Sequence, residues 1–149
     1  MEEGARLQYY GFGPKNIDIN SLVTSCMRVK QSKNSSASFS TFYWDDGLIK
    51  NNIAVFLEEP GAVCNLFSIS SLHNNSRVEN NIFIQHASPG CKSSQIYKGI
   101  FDDSSFGVFN STVFVAKHAQ KSFTKQQNNN ILLSDYASIN SNPQLEIFA

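Results

Sequence analysis

At 149 residues the chain is about one domain long, enough to bury a core. Its 12 Lys and Arg balance its 12 Asp and Glu, which excludes a basic footprint for nucleic acid and a polybasic membrane patch. Charged residues make up only 16%, while Phe reaches 12 and Asn and Ser are abundant. That favours a β-rich protein, with aromatics packed on pleated faces and Asn in turns.

The opening "MEEGARLQYY" is acidic and lacks the apolar core of a signal peptide. "GFG" (Gly11 to Gly13) predicts a turn with no phosphate-loop continuation. Cys26, Cys64 and Cys91 are odd in number and widely scattered, which predicts free thiols in a reducing compartment and a cytoplasmic location. "FSTFYW" (Phe39 to Trp44) predicts a strand whose aromatics pack on a neighbouring strand, ahead of a ligand-stacking platform. Sequons begin at Asn34, Asn74 and Asn110, as chance allows in a chain this rich in Asn and Ser. No apolar run approaches the roughly 18 residues of a membrane-crossing helix.

From residue 52 onward a repeat emerges. Turn signals fall at Pro60-Gly61, His73 to Ser76, Pro89-Gly90, Asp102 to Ser105, Lys117 to Gln120 and Ser134-Asp135, about 14 to 17 residues apart. Pro60-Gly61 returns as Pro89-Gly90 after 29 positions, and Asn52 returns as Asn81 and Asn110 after 29 each, then as Asn140 after 30. The apolar runs keep the same beat: Ile53 to Leu57, Ile82 to Ile84, Val113 to Val115 and Leu145 to Phe148. A second series begins at Asn65, Gln95 and Asn130, so one period of about 29 to 32 residues holds two strands and two turns. Such a period predicts stacked coils, and the alternation excludes helical repeats. In a parallel β-helix equivalent residues stack, so Asn52, Asn81, Asn110 and Asn140 are expected to form a ladder. Compositional bias toward Asn would raise its count without setting a period.

Chemistry is sparse. Asp45-Asp46, Glu58-Glu59 and Asp102-Asp103 are adjacent pairs, and strand neighbours point to opposite faces, so adjacency does not build an acid–base dyad. Each abuts Gly, Pro or Ser and reads as turn chemistry. His73, His86, His118 and the cysteines never take metal-site spacing. His86 and Cys91 flank Ser88-Pro89-Gly90 and read as a half-exposed turn histidine and a small buried thiol. No nucleophile–base pair is visible, so the residues predict a binding or scaffold module rather than an enzyme.

The closing run "GVFNSTVFVAKHAQKSFTKQQNNNILLSDYASINSNPQLEIFA" (Gly107 to Ala149) resembles the SufD branch of the SufB/SufD family of iron–sulfur cluster assembly proteins. The matching positions are Gly107, Phe109, Val115, Ala119-Gln120-Lys121, Gln127, Asn128, Leu132-Leu133-Ser134, Ala137, Ile139, Pro143, Leu145-Glu146-Ile147 and Ala149. Gly4 to Tyr10, Gly47 to Phe67 and Ile96 to Phe109 carry the likeness further back. The resemblance implies an all-β, right-handed parallel β-helix and a non-enzymatic scaffold subunit of the SUF system, paired with SufB and held by the SufC ATPase. A transient Fe–S cluster would belong to the intact complex, with no cofactor assigned to this chain. SufB carries a sulfur-transfer cysteine near the strand occupied here by Asn51-Asn52-Ile53, and its absence favours SufD. The family's cluster-interface run "DDVKCSHG" would follow Ala149, so no catalytic, cofactor-binding or metal residue is carried over.

The expectation is therefore residues 1–149 as a SufBD-type β-helix core, a slice without caps or the family's terminal helical regions. Two alternatives stand beside it: a polysaccharide-active or carbohydrate-binding β-helix protein using Asp102 and Asp103, and a non-functional truncated SufD fragment.

Overall fold

The computed structural model describes residues 1–13, 21–44 and 47–148. Ten strands follow in order: β1 (Arg6–Phe12), β2 (Leu22–Gln31), β3 (Ser36–Tyr43), β4 (Leu48–Leu57), β5 (Val63–Leu72), β6 (Arg77–His86), β7 (Lys92–Phe101), β8 (Phe106–Val115), β9 (Phe123–Leu132) and β10 (Ser138–Ile147). Odd strands form one five-stranded sheet and even strands another, every pairing parallel and every strand beside the one two positions away. Consecutive strands thus make one coil, and five coils stack into the parallel β-solenoid that the period predicts.

Strand periodicity builds the core. Along β6 the side chains of Val78, Asn80, Ile82, Ile84 and His86 are buried and alternate with outward neighbours. Register then stacks like on like, so that Val29, Val55, Ile84 and Val113 form one column of the even sheet. They meet Ala37, Cys64, Phe39 and Leu66 from the odd sheet. Each such fully buried Val or Ile contributes roughly 1.5–3 kcal/mol. A second, smaller core gathers Tyr43, Ile49, Leu72, Val78, Phe101 and Ala137. Phe101 needs glycine beside it: a Cβ on Gly107 would lie 2.6 Å from Phe101 Cζ. That gives the Gly107 of the closing run a packing reason.

The corners obey a rule of their own. Gly4 (φ 68), Asn34 (φ 56), Gly61 (φ 75), Gly90 (φ 70) and Lys121 (φ 59) each sit two residues before an odd strand, in the left-handed region. Glycine and asparagine tolerate that conformation, whereas Lys121 adopts it at a cost. Backbone bonds stitch these corners together, Asn34 N–H to Pro60 O at 3.1 Å and Gly90 N–H to Gln120 O at 2.9 Å. All six turn signals fall in corners.

The register corrects two expectations. Asn142, not Asn140, stands opposite Asn110, while Asn140 faces Val108. The cause lies in the last coil, whose corners, 116–122 and 133–137, are longer than their counterparts 87–91 and 102–105. Val113 likewise pairs with Ile84 rather than Ile82, so the apolar triplets are offset by one inward position.

Candidate functional site

The outward positions of the even sheet form columns set by register. One holds Cys26, Asn52, Asn81, Asn110 and Asn142. Asn81 Nδ2 donates to Asn52 Oδ1 at 3.3 Å, Asn110 Nδ2 to Asn81 Oδ1 at 2.9 Å, and Asn142 Nδ2 to Asn110 Oδ1 at 3.0 Å. At the head of the column Asn52 Nδ2 points to Cys26 Sγ at 3.8 Å, a weak bond to an exposed thiol. The sequence separations along it run 26, 29, 29 and 32. Sequence reasoning missed Cys26, because a step of 26 lies outside the repeat and only the register reveals its column.

Beside this ladder the surface dips over Ala54, between Arg28 and Phe83, into a groove of about 490 Å³ that Cys26, Asn52 and Asn81 also line. On its wall the Arg28 guanidinium lies 4.9 Å from the Phe56 ring centre. Outside the groove Lys50 pairs with Glu79 at 3.1 Å. Glu79 also accepts a 2.6 Å bond from Asn81 Nδ2; that bond, then Lys50, holds its carboxyl below the ordinary value. The groove is mostly apolar, walled by Ala54 and Phe83 among others, with the ladder amides, the Cys26 thiol and the Arg28 guanidinium at its polar points, a lining with no acid–base pair for proton transfer.

A second amide pair lies inside. Asn51 Nδ2 donates to Asn80 Oδ1 at 2.9 Å, and Tyr43 OH donates to Asn51 Oδ1 at 3.0 Å. Both amides are buried and find partners, as buried polar groups must.

The carboxylate pairs serve the corners. Glu58 pairs with Lys30 at 3.1 Å, and Glu59 accepts the Lys33 N–H at 2.8 Å. Asp103 accepts the Asn74 N–H at 2.8 Å, and Asp102 accepts the Asp103 N–H at 2.8 Å. The Asp45-Asp46 pair and Ala149 lie outside the described residues. Phe39 turns inward, while Phe42 stacks on Phe12 and meets Phe67 edge-on, so the aromatic run splits between the two faces of its sheet.

His86 is a correction. It is not a half-exposed turn residue but the last residue of β6, 0% exposed, because it continues the inward column of Gln31 and Leu57. Its Nε2 lies 2.8 Å from Ser93 Oγ. Burial pushes its pKa down to about 4, with the Cys91 backbone opposing, so the ring is neutral near pH 7. Cys91 is buried, as read, and donates to Glu59 O at 3.3 Å. Among the described residues no three His, Cys, Asp or Glu gather as a metal site would require.

Stacked amides, corner carboxylates and an amide-lined outer groove define a parallel β-solenoid whose resources are surface and edge. The chain belongs to the family described as SUF system FeS cluster assembly, SufBD core domain, which matches residues 1–149. It is 27% identical over 117 residues to the iron–sulfur cluster assembly protein SufD of Escherichia coli, covering 78% of this chain and 28% of that protein. It is 28% identical over 102 residues to an iron–sulfur cluster assembly SufBD family protein of Synechocystis, covering 68% of this chain and 22% of that one. The chain thus spans about a quarter of the length of these relatives.

Proposed function

We propose that residues 1–149 form the β-helix core of a SufD-type subunit, a non-catalytic scaffold in iron–sulfur cluster assembly by the SUF system. The observation that carries this reading is the family match along the whole chain, joined to the five-coil solenoid of the described residues. In this role the chain acts by shape. Its stacked coils hold a rigid surface, against which a SufB-type subunit pairs and on which a SufC-type ATPase acts. The cluster is cargo of that complex, passing through without a resident site in this chain. The SufD assignment rests on the lack of a cysteine in the Asn51-Asn52-Ile53 stretch, near which a SufB-type chain carries one, and on the SufD name of the Escherichia coli relative. We place the complex in the cytoplasm; no helix among the described residues is long and apolar enough to cross a membrane.

The test is co-expression of the full-length protein with tagged SufB-type and SufC-type subunits. Co-elution in fixed stoichiometry, with cluster absorbance developing only when this protein is present, is the expected result. A folded protein that never co-elutes with the SufB-type subunit would overturn the proposal.

A further inference from the structure

The interior of the solenoid changes character along its axis. Two inward columns of the odd sheet begin apolar and end polar: Ala37, Cys64, Ser93, Thr124 in one and Phe39, Leu66, Gln95, Gln126 in the other. The polar end is knit by side chains. Ser111 Oγ donates to Gln95 Oε1 at 2.7 Å, Gln126 Nε2 donates to Ser111 Oγ at 2.9 Å, and Ser93 Oγ lies 2.9 Å from Thr124 Oγ1. His86 joins the second group through Nε2 and Ser93.

The other ring nitrogen does not fit this pattern. His86 is 0% exposed, yet its Nδ1 makes no hydrogen bond of normal geometry on the protein, the Cys91 backbone near the ring included, and neither does the buried Ser122 Oγ. Both residues line one pocket of about 120 Å³, together with Thr124, Val115 and Ala119 and, on its solvent side, the exposed Phe123 and Ile147. The pocket lies under corner 116–122, which is two residues longer than corner 87–91 one coil earlier; Gln120, Lys121 and Ser122 of that corner form part of its wall. Buried polar atoms in native proteins find partners, protein or water, with few exceptions.

We propose that the floor of this pocket is a hydration site, in which bound water bridges the buried His86 Nδ1 and Ser122 Oγ. Size permits it, since a water claims about 30 Å³ and several fit. Chemistry selects it as well. Whichever tautomer the Ser93 contact leaves on the ring, water meets Nδ1 as donor or acceptor, and it does the same for a hydroxyl. An apolar guest would leave both atoms orphaned. Water completes one hydrogen-bonded line, from Ser122 through His86 and Ser93 to Thr124, linking a corner to the polar lumen. This inference stands independently of the SUF role.

Two measurements on the full chain decide it. In a high-resolution crystal structure, ordered oxygen should lie within about 3.2 Å of both His86 Nδ1 and Ser122 Oγ, and pressurised xenon should not enter. Ser122→Ala removes only a hydroxyl and should end the bridge while an oxygen stays on His86 Nδ1, whereas His86→Leu should turn the pocket floor dry and let xenon in. In solution, water should cross-relax with the Ala119 and Val115 methyls with the sign of a long-lived guest, in wild type and in Ser122→Ala alike. The variant excludes relay through that hydroxyl. Xenon density on the wild-type pocket floor, or absent cross-relaxation at both methyls, would overturn the proposal.

Discussion

Asn142 donates its Nδ2 hydrogen to Asn110 Oδ1 at 3.0 Å across 32 residues of sequence, while Asn140 lies beside Val108. The ladder thus survives a change of period, because the longer corners shift the strand until an amide again meets an amide. Asn142→Ala should lower unfolding free energy by about 0.5–1 kcal/mol, the net worth of one exposed hydrogen bond. Asn140→Ala should stay within about 0.5 kcal/mol of wild type. Asn81→Ala, which breaks the ladder on both sides, should cost about 1–2 kcal/mol. Urea titration of the three variants measures the order, and an Asn140→Ala loss as large as that of Asn142→Ala would contradict the register.

Gly107 and Phe101 make a steric test of the smaller core. A Cβ at 107 would sit 2.6 Å from Cζ and 2.8 Å from Cε1 of a ring that is 1% exposed. Gly107→Ala should therefore cost about 1–3 kcal/mol through overpacking. Added to Phe101→Leu, the same change should cost less than it does alone, since the smaller side chain makes room. A double-mutant cycle in denaturant reads the coupling, and strict additivity would mean that the ring moves aside freely.

His86 gives stability a defined pH dependence. Its pKa is about 4 folded and about 6.5 unfolded, so between these values the unfolded chain binds the extra proton. Stability from this group is flat above pH 6.5, falls as pH drops toward 4 by at most about 1.4 kcal/mol per unit, and levels below. Glu79 adds a smaller loss further down, because its lowered pKa is exposed to solvent screening. His86→Leu should abolish the slope between pH 6.5 and 5, measured as denaturation midpoint against pH. An unchanged slope in the variant would assign it to another group.

Much of this fold was legible because it repeats. Pro60-Gly61 and Pro89-Gly90, and the Asn52, Asn81, Asn110 series, all lie where two successive coils are 29 residues apart, and there spacing equals register. The first and last coils broke that equality. With Cys26 and Asn52 only 26 apart, the first strands carried no audible period, so neither the opening coil nor the place of Cys26 could be read. The Glu58-Glu59 and Asp102-Asp103 pairs were correctly read as corner residues, since the Pro and Ser beside them speak locally. His86 misled because Pro89-Gly90 nearby signals a turn, whereas its inward direction comes from Gln31 and Leu57 in other coils, which no local window contains.

The three cysteines should separate by reactivity, and the reason lies in the column that Cys26 heads. Cys26 is exposed at the margin of the amide groove, while Cys64 and Cys91 are 0% exposed. Burial pushes the Cys64 thiol up to about 12 and raises that of Cys91, so neither offers a thiolate near neutral pH. An aromatic disulfide reagent should therefore release a single equivalent rapidly from the native chain and the remaining thiols only on unfolding. Cys26→Ser should remove the rapid phase. A second rapid equivalent in the native protein would show that corner 87–91 opens on its own, freeing Cys91 from Glu59 O without global unfolding.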